Sequence, residues 1–167
     1  MTDTPCDIGT PGIPWGAPER AAWLARQQKR RDFGDDVATP VRALADRFDV
    51  VQYGTLDYDI GQWPLLGLRT RAWRPDRPTA LITGGVHGYE TSGVHGALRF
   101  AQADATAHED RWNLVIAPCV SPWGYETINR WNPKAVDPNR SFLPTRPAQE
   151  AALLMDWVAA QGLRPRL

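Results

Sequence analysis

Two short apolar runs, separated by a stretch with helical spacing, constrain the fold of this chain more than any other feature. Residues 79–86 read TALITGGV and residues 112–118 read WNLVIAP. Runs of this length and composition are typical of strands inside a sheet. Residues 91–103 and 147–161 instead repeat apolar side chains at intervals of three and four, as amphipathic helices do. The alternation predicts an α/β fold with a mostly parallel mixed sheet and flanking helices.

The amino-terminal segment differs from the rest in composition. Residues 1–35 begin with Pro, Gly and polar side chains and predict a loosely held arm that ends in a helix over residues 21–31. Residues 36–167 are expected to form one partial domain, in which a short helix that starts at Thr39 precedes strands at residues 50–56 and 65–73. The Lys29-Arg30-Arg31 cluster is interpreted as a solvated helix end.

Charge and cysteine content exclude several functional classes. Lys+Arg and Asp+Glu both number 19, so no net field favours binding to nucleic acid or to an anionic membrane. No apolar run approaches the roughly 20 residues that span a bilayer, and the polar amino end does not resemble a signal peptide, which predicts a cytoplasmic protein. Cys6 and Cys119 have no disulfide or metal-ligand spacing and are expected to be plain thiols.

The loop after the first apolar run carries a pair of metal-binding residue types. In open α/β sheets, ligands bind beyond the carboxyl ends of the strands. Residues 84–90 read GGVHGYE, and a His and a Glu three residues apart can face one point while the glycines let the backbone turn sharply. Zinc accepts imidazole nitrogen and carboxylate oxygen, so His87 and Glu90 are candidate ligands.

The loop after the second apolar run, residues 121–142, is long enough to be functional. Near its end, Asn139 and Arg140 place an amide beside a guanidinium, whose planar fork matches a carboxylate. An internal ion pair between Asp137 and Arg140 that staples the loop is an equally good interpretation of the residues alone.

The two motifs together resemble the zinc carboxypeptidase superfamily, which includes metallocarboxypeptidases and the succinylglutamate desuccinylase and aspartoacylase group. The resemblance covers residues 79–142, where His-x-x-Glu is followed by Asp-x-Asn-Arg in the order of that superfamily. It implies that His87 and Glu90 bind Zn²⁺, and that Asn139 and Arg140 hold a substrate carboxylate. By order, Arg130 is the residue that it implies for stabilising the oxyanion.

The sequence departs from this pattern after Arg140. The superfamily also uses a third ligand, a His, and a general-base Glu, both further along the chain. No histidine follows Arg140, and Glu150 lies in the first turn of a predicted helix, where a structural role is expected. His95 and His108 are expected to lie at the surface or to pack on a helix. The expectation is therefore a truncated catalytic domain that is inactive alone.

Three functions remain open at this point. The first is a zinc metallocarboxypeptidase that hydrolyses a peptide bond next to a free carboxylate. The second is an N-acyl amino acid deacylase or desuccinylase of the same fold, with an acyl amino acid as substrate. The third is a non-catalytic module that binds carboxylates and has lost the metal.

Overall fold

The computed structural model describes residues 8–163 of the chain. Within that range, helices flank a single four-stranded sheet. In chain order the elements are α1 (Ala17–Leu24), α2 (Thr39–Arg42), β1 (Phe48–Tyr58), β2 (Gly61–Thr70), β3 (Thr79–Thr83), α3 (Thr91–Arg99), β4 (Asn113–Ala117), α4 (Pro122–Thr127) and α5 (Gln149–Ala160). None of the helices in this range is both long and apolar enough to cross a bilayer.

The sheet is mixed, with strand order β1-β2-β4-β3. β1 pairs with β2 and β2 with β4 in antiparallel orientation, whereas β3 and β4 are parallel. The predicted mixed α/β sheet with flanking helices is confirmed. Parallel pairing does not dominate the described strands, however. Only two residues separate β1 from β2, and a connection that short can join two strands only if they are antiparallel.

β4 is the most deeply buried strand, and its side chains alternate between two cores. Leu114 and Ile116 belong to the core that α3 covers, whereas Val115 and Ala117 belong to the core that α5 covers. All five residues of β4 are buried. Two covered faces explain why this strand reads as a continuous apolar run rather than as an alternating one.

β3 is an edge of the described sheet, which corrects the prediction of a buried strand. Its residues are half-buried or exposed, and Leu81 is 39% exposed. The strand pairs with β4 along one side only. The apolar composition of residues 79–83 therefore reflects one covered face and one face that borders an open cleft.

The amino-terminal helix lies earlier than predicted. α1 begins after Gly16, whose amide donates to the Glu19 side chain at 2.8 Å, and it ends at Leu24. The following segment leaves the helix because the amides of Arg30 and Arg31 both donate to the backbone oxygen of Glu126 in α4. The basic cluster is thus a docking segment, not a solvated helix end.

Tryptophan side chains attach the arm to the rest of the molecule. Trp15 packs edge-on against Trp131 with ring centroids 5.8 Å apart, and Trp23 lies 5.8 Å from Trp123 and 5.9 Å from Trp131. Aromatic pairs in such geometries add stability beyond the area that they bury. The arm is therefore held against the loop that contains Trp131. Cys6 lies outside the described residues, and Cys119 is a buried free thiol, as predicted.

Candidate metal centre

Two loops meet at the carboxyl ends of β3 and β4, where the sequence places the candidate site. The ladder between the strands ends with Thr83 opposite Ala117. Beyond it, the Val120 amide donates to the Gly84 oxygen at 3.0 Å and the Ser121 amide donates to the Gly85 oxygen at 2.9 Å. The strand pairing thus continues into the loops and brings their side chains together.

Glycine is required where the first loop crosses α4. A Cβ atom on Gly88 would lie 2.0 Å from the Tyr125 nitrogen and 2.2 Å from the Gly124 carbonyl carbon. Both distances are far below van der Waals contact, and both neighbours are backbone atoms that cannot rotate away. Gly88 therefore allows the loop to press against α4 directly beside His87.

His87 is buried, and each of its ring nitrogens faces a carboxylate. The side chain is 6% exposed, with Nε2 at 2.8 Å from Asp137 Oδ1 and Nδ1 at 3.3 Å from Glu90 Oε1. The shorter of the two contacts is the one between Nε2 and Asp137, whose ionised carboxylate can only accept a hydrogen bond. Nδ1 is then directed towards Glu90, so the pair presents one nitrogen and one carboxylate at the same place.

Asp137 organises this site, although the sequence interpretation gave its side chain no part in binding. Oδ1 accepts from His87 and from the Asn139 amide at 2.9 Å, and Oδ2 accepts from Arg130 Nε at 3.1 Å. Burial by itself would raise the pKa of the carboxyl, but the bonds from these donors outweigh it and lower the pKa below its usual value. The carboxylate is therefore charged when it orients His87.

The alternative of an Asp137–Arg140 staple is wrong, because the Asp137 carboxylate is taken by His87 and Arg130. Among the described residues, Arg140 has no acidic side chain within ion-pair distance. It lies with Asn139 in a single helical turn, Pro138–Arg140, and both side chains are exposed. Asn139 also lines an apolar cleft of about 620 Å³ beside β3, together with Val86 and Phe142.

Hydrogen bonds to Asp137 connect three of the candidate residues, His87, Arg130 and Asn139, but not Arg140. Asp137 links His87 to Arg130 through its side chain, and Asn139 joins this group through its backbone amide. Arg140 follows Asn139 in the chain, but its side chain makes no ion pair with the described acidic residues.

The donors present fit part of a zinc site. An imidazole nitrogen and a carboxylate oxygen are two of the ligand types that zinc prefers. Within residues 8–163, however, no three His, Cys, Asp or Glu side chains are grouped so as to hold a metal ion. His95 and His108 are exposed, as predicted.

The structure buries Glu150, for which the sequence predicted a structural role at the start of a helix. It lies in the first turn of α5 but is only 1% exposed, beneath the second loop. The predicted second loop also contains α4, a short helix that the sequence did not predict and whose residues are all buried.

Comparison with known proteins finds a similar architecture in solved structures of metallopeptidases. No protein-family model matches the chain, and no curated protein is significantly similar to it. Solved structures match: a candidate metallopeptidase from Shewanella denitrificans has 28% identity and a TM-score of 0.62, over 77% of this chain and 47% of that one. A candidate metallopeptidase from Shewanella baltica has 24% identity and a TM-score of 0.63, over 77% and 49% of the two chains.

A metallo-carboxypeptidase from Pseudomonas aeruginosa, solved in complex with (2-guanidinoethylmercapto)succinic acid, has 19% identity and a TM-score of 0.56 over 77% of this chain and 37% of that one. The chain has the carboxypeptidase-like fold of these proteins. It spans about half the length of the Shewanella structures that it matches.

Proposed function

We propose that this chain carries part of the active site of a zinc-dependent metallocarboxypeptidase. His87 through Nδ1 and Glu90 through its carboxylate would hold the metal, and Asn139 and Arg140 would hold the free carboxylate of the substrate. The observation that carries the proposal is the arrangement of His87, which is buried between the Asp137 and Glu90 carboxylates at 2.8 and 3.3 Å. Metal-binding histidines typically donate their second ring N–H to such a carboxylate.

The residues on the substrate side would act through charge. Zn²⁺, when bound, polarises a carbonyl and lowers the pKa of water. Arg130 is positioned by Asp137 through Nε, with a second nitrogen, Nη2, also 3.1 Å from Oδ2. From that position its guanidinium would stabilise the negative charge that develops on the carbonyl oxygen. Arg140 would contribute specificity, since its planar fork can bind a carboxylate through two parallel hydrogen bonds.

Substrates in this proposal are peptides with a free terminal carboxylate. Acyl amino acids carry the same carboxylate, and the deacylase alternative therefore uses the same residues. Assays of a longer version of the protein on peptides and on N-acyl amino acids separate the two.

Calorimetric titration of the chain with Zn²⁺ tests the metal site. We expect weak binding of one ion, because two protein ligands leave at least two positions to water. His87→Ala and Glu90→Gln should each abolish it, whereas His95→Ala, which removes an exposed histidine, should leave it unchanged. Zinc binding that survives His87→Ala, or no binding by the unaltered chain, would contradict the proposal and favour a module that binds carboxylates without metal.

A further inference from the structure

A closed triangle of buried polar side chains lies beneath the loop that carries Asp137. The Tyr58 hydroxyl donates to Glu150 Oε1 at 2.8 Å. Asn132 Nδ2 lies 3.1 Å from both the Tyr58 oxygen and Glu150 Oε2. Glu150, Tyr58 and Asn132 are 1%, 5% and 2% exposed. Burying a carboxyl is costly, so a group satisfied this completely is expected to hold something in place.

What the triangle holds is the turn before Asp137. The Asn132 side chain uses both of its ends, since Oδ1 accepts from the Lys134 amide at 3.1 Å and from the Val136 amide at 3.0 Å. Between these two amides, Ala135 has a φ of +56°, a left-handed conformation that a non-glycine residue adopts at a cost. The Asn132 side chain therefore stabilises this turn through its hydrogen bonds to the two amides.

The turn leads directly into the candidate metal centre. Val136, whose amide is fixed by Asn132, immediately precedes Asp137, and Asp137 orients His87 through the bond of 2.8 Å to Nε2. Three consecutive contacts thus connect Glu150 to Asn132, Asn132 to the backbone at residue 136, and Asp137 to His87. Glu150 is therefore connected to His87 by direct contacts and by the short stretch of backbone between residues 136 and 137.

We propose that Glu150 is a positioning residue for the metal centre, which fixes His87 through Asn132 and the turn that carries Asp137. The metal-binding role of His87 in this statement rests on the function proposed above, whereas the orientation of its ring does not. The two can therefore be tested separately.

The test compares Glu150→Ala with Glu150→Gln by long-range ¹H–¹⁵N NMR of the histidine rings. The chain has three histidines, so His95 and His108 serve as internal references. Gln has the size of Glu and can accept from Asn132 while donating to Tyr58. We expect Glu150→Gln to leave the ring signals of His87 as they are in the unaltered protein, and Glu150→Ala to shift or broaden them while the two reference histidines stay unchanged.

Gln149→Ala is the matched control. Gln149 precedes Glu150 on the same helix and hydrogen-bonds to the backbone of Asp57, next to Tyr58, whereas Asn132 hydrogen-bonds to Glu150. Gln149→Ala should leave His87 unchanged. Unaltered His87 signals in a folded Glu150→Ala protein, or an equal effect of Gln149→Ala, would overturn the proposal.

Zinc titration of the same variants gives a second readout. Loss of a residue that orients a ligand typically lowers metal affinity about 10-fold or more. We expect this loss of zinc affinity in Glu150→Ala, and an affinity close to that of the unaltered protein in Glu150→Gln. If the unaltered chain binds no zinc, the proposed function fails, but the ring signals still decide the positioning role.

Should Glu150→Ala fail to fold, Tyr58→Phe carries the test. It removes one hydroxyl from the triangle and keeps the ring. Hydrogen exchange at the Lys134 and Val136 amides should then accelerate, and the His87 signals should shift. Unchanged exchange and unchanged signals would refute the connection.

Discussion

At the scale of single residues, the buried Glu150 carboxyl couples stability to pH. Desolvation by burial is the largest influence and raises its pKa, and the bonds from its own amide, Asn132 and Tyr58 only partly offset this. In the unfolded chain a Glu titrates at about 4.3. The folded protein therefore binds more protons than the unfolded one above that pH, and stability falls as pH rises through this window.

Glu150→Gln should remove this dependence. Its free energy of unfolding, measured by urea denaturation from pH 4 to pH 8, should increase relative to that of the unaltered protein as the pH rises. Other carboxyls cancel in the comparison because both proteins contain them. A constant difference across the range would mean that the folded pKa of Glu150 is not raised.

A second residue-scale effect concerns backbone strain at the end of α4. Ile128 has a φ of +57° and a side chain that is 43% exposed. A left-handed conformation costs an L-residue about 1–2 kcal/mol, whereas Asn adopts it readily. Ile128→Asn should therefore raise the free energy of unfolding by about 1 kcal/mol. Urea denaturation measures this change, with Ile60→Asn as the control. Ile60 is 49% exposed but does not have a positive φ, so Ile60→Asn should not raise the free energy of unfolding.

At the scale of elements, the contact between the first loop and α4 depends on Gly88. Gly88→Ala should destabilise the protein by about 3 kcal/mol, because its Cβ would overlap backbone atoms of α4. Gly96 is the matched control, since it lies in α3 with open space around its Cβ position. Gly96→Ala should stabilise the helix by about 1 kcal/mol. Equal effects of the two substitutions in urea denaturation would contradict the close approach.

Local pattern was sufficient for elements whose own apolar spacing reflects which of their faces are buried. Residues 112–118 and 147–161 predicted β4 and α5 to within two residues. β4 is buried on both faces and reads as a continuous apolar run, whereas the buried face of α5 repeats apolar residues at helical spacing. α1 was misplaced because Glu126, nearly a hundred positions away, holds the segment after it in a non-helical path. α4 was missed because its Pro and Gly residues suggest a loop.

The same distinction applies to the candidate site. His87, Glu90, Asn139 and Arg140 were found from two short motifs, which lie within each loop. The role of the Asp137 side chain was not predicted, because its partner His87 lies 50 positions away in the sequence. Glu150 was given a helix-end role for the same reason, since Tyr58 lies 92 positions from it. Composition and local spacing carry no information about side chains that are so far apart in the sequence.

At the scale of the whole molecule, the free side of β3 borders an apolar cleft. Leu81 on this edge lines the cleft with Met155 and Leu163, among other apolar side chains. A strand edge with unpaired backbone groups next to an apolar surface favours association between chains. We therefore expect the chain to self-associate as its concentration rises.

Leu81→Lys should reduce this association, because a charged side chain on an edge strand opposes pairing with another chain. Leu143→Lys is the control, since Leu143 is 50% exposed but lies outside the sheet and the cleft. Light scattering coupled to size-exclusion chromatography measures the mass of each protein over a range of concentrations, and circular dichroism establishes that all are folded. The unaltered chain and Leu143→Lys should grow in mean mass with concentration, whereas Leu81→Lys should remain closer to 18.6 kDa. An unaltered chain that stays monomeric throughout, or a Leu143→Lys protein that dissociates as fully as Leu81→Lys, would show that the β3 edge does not drive self-association.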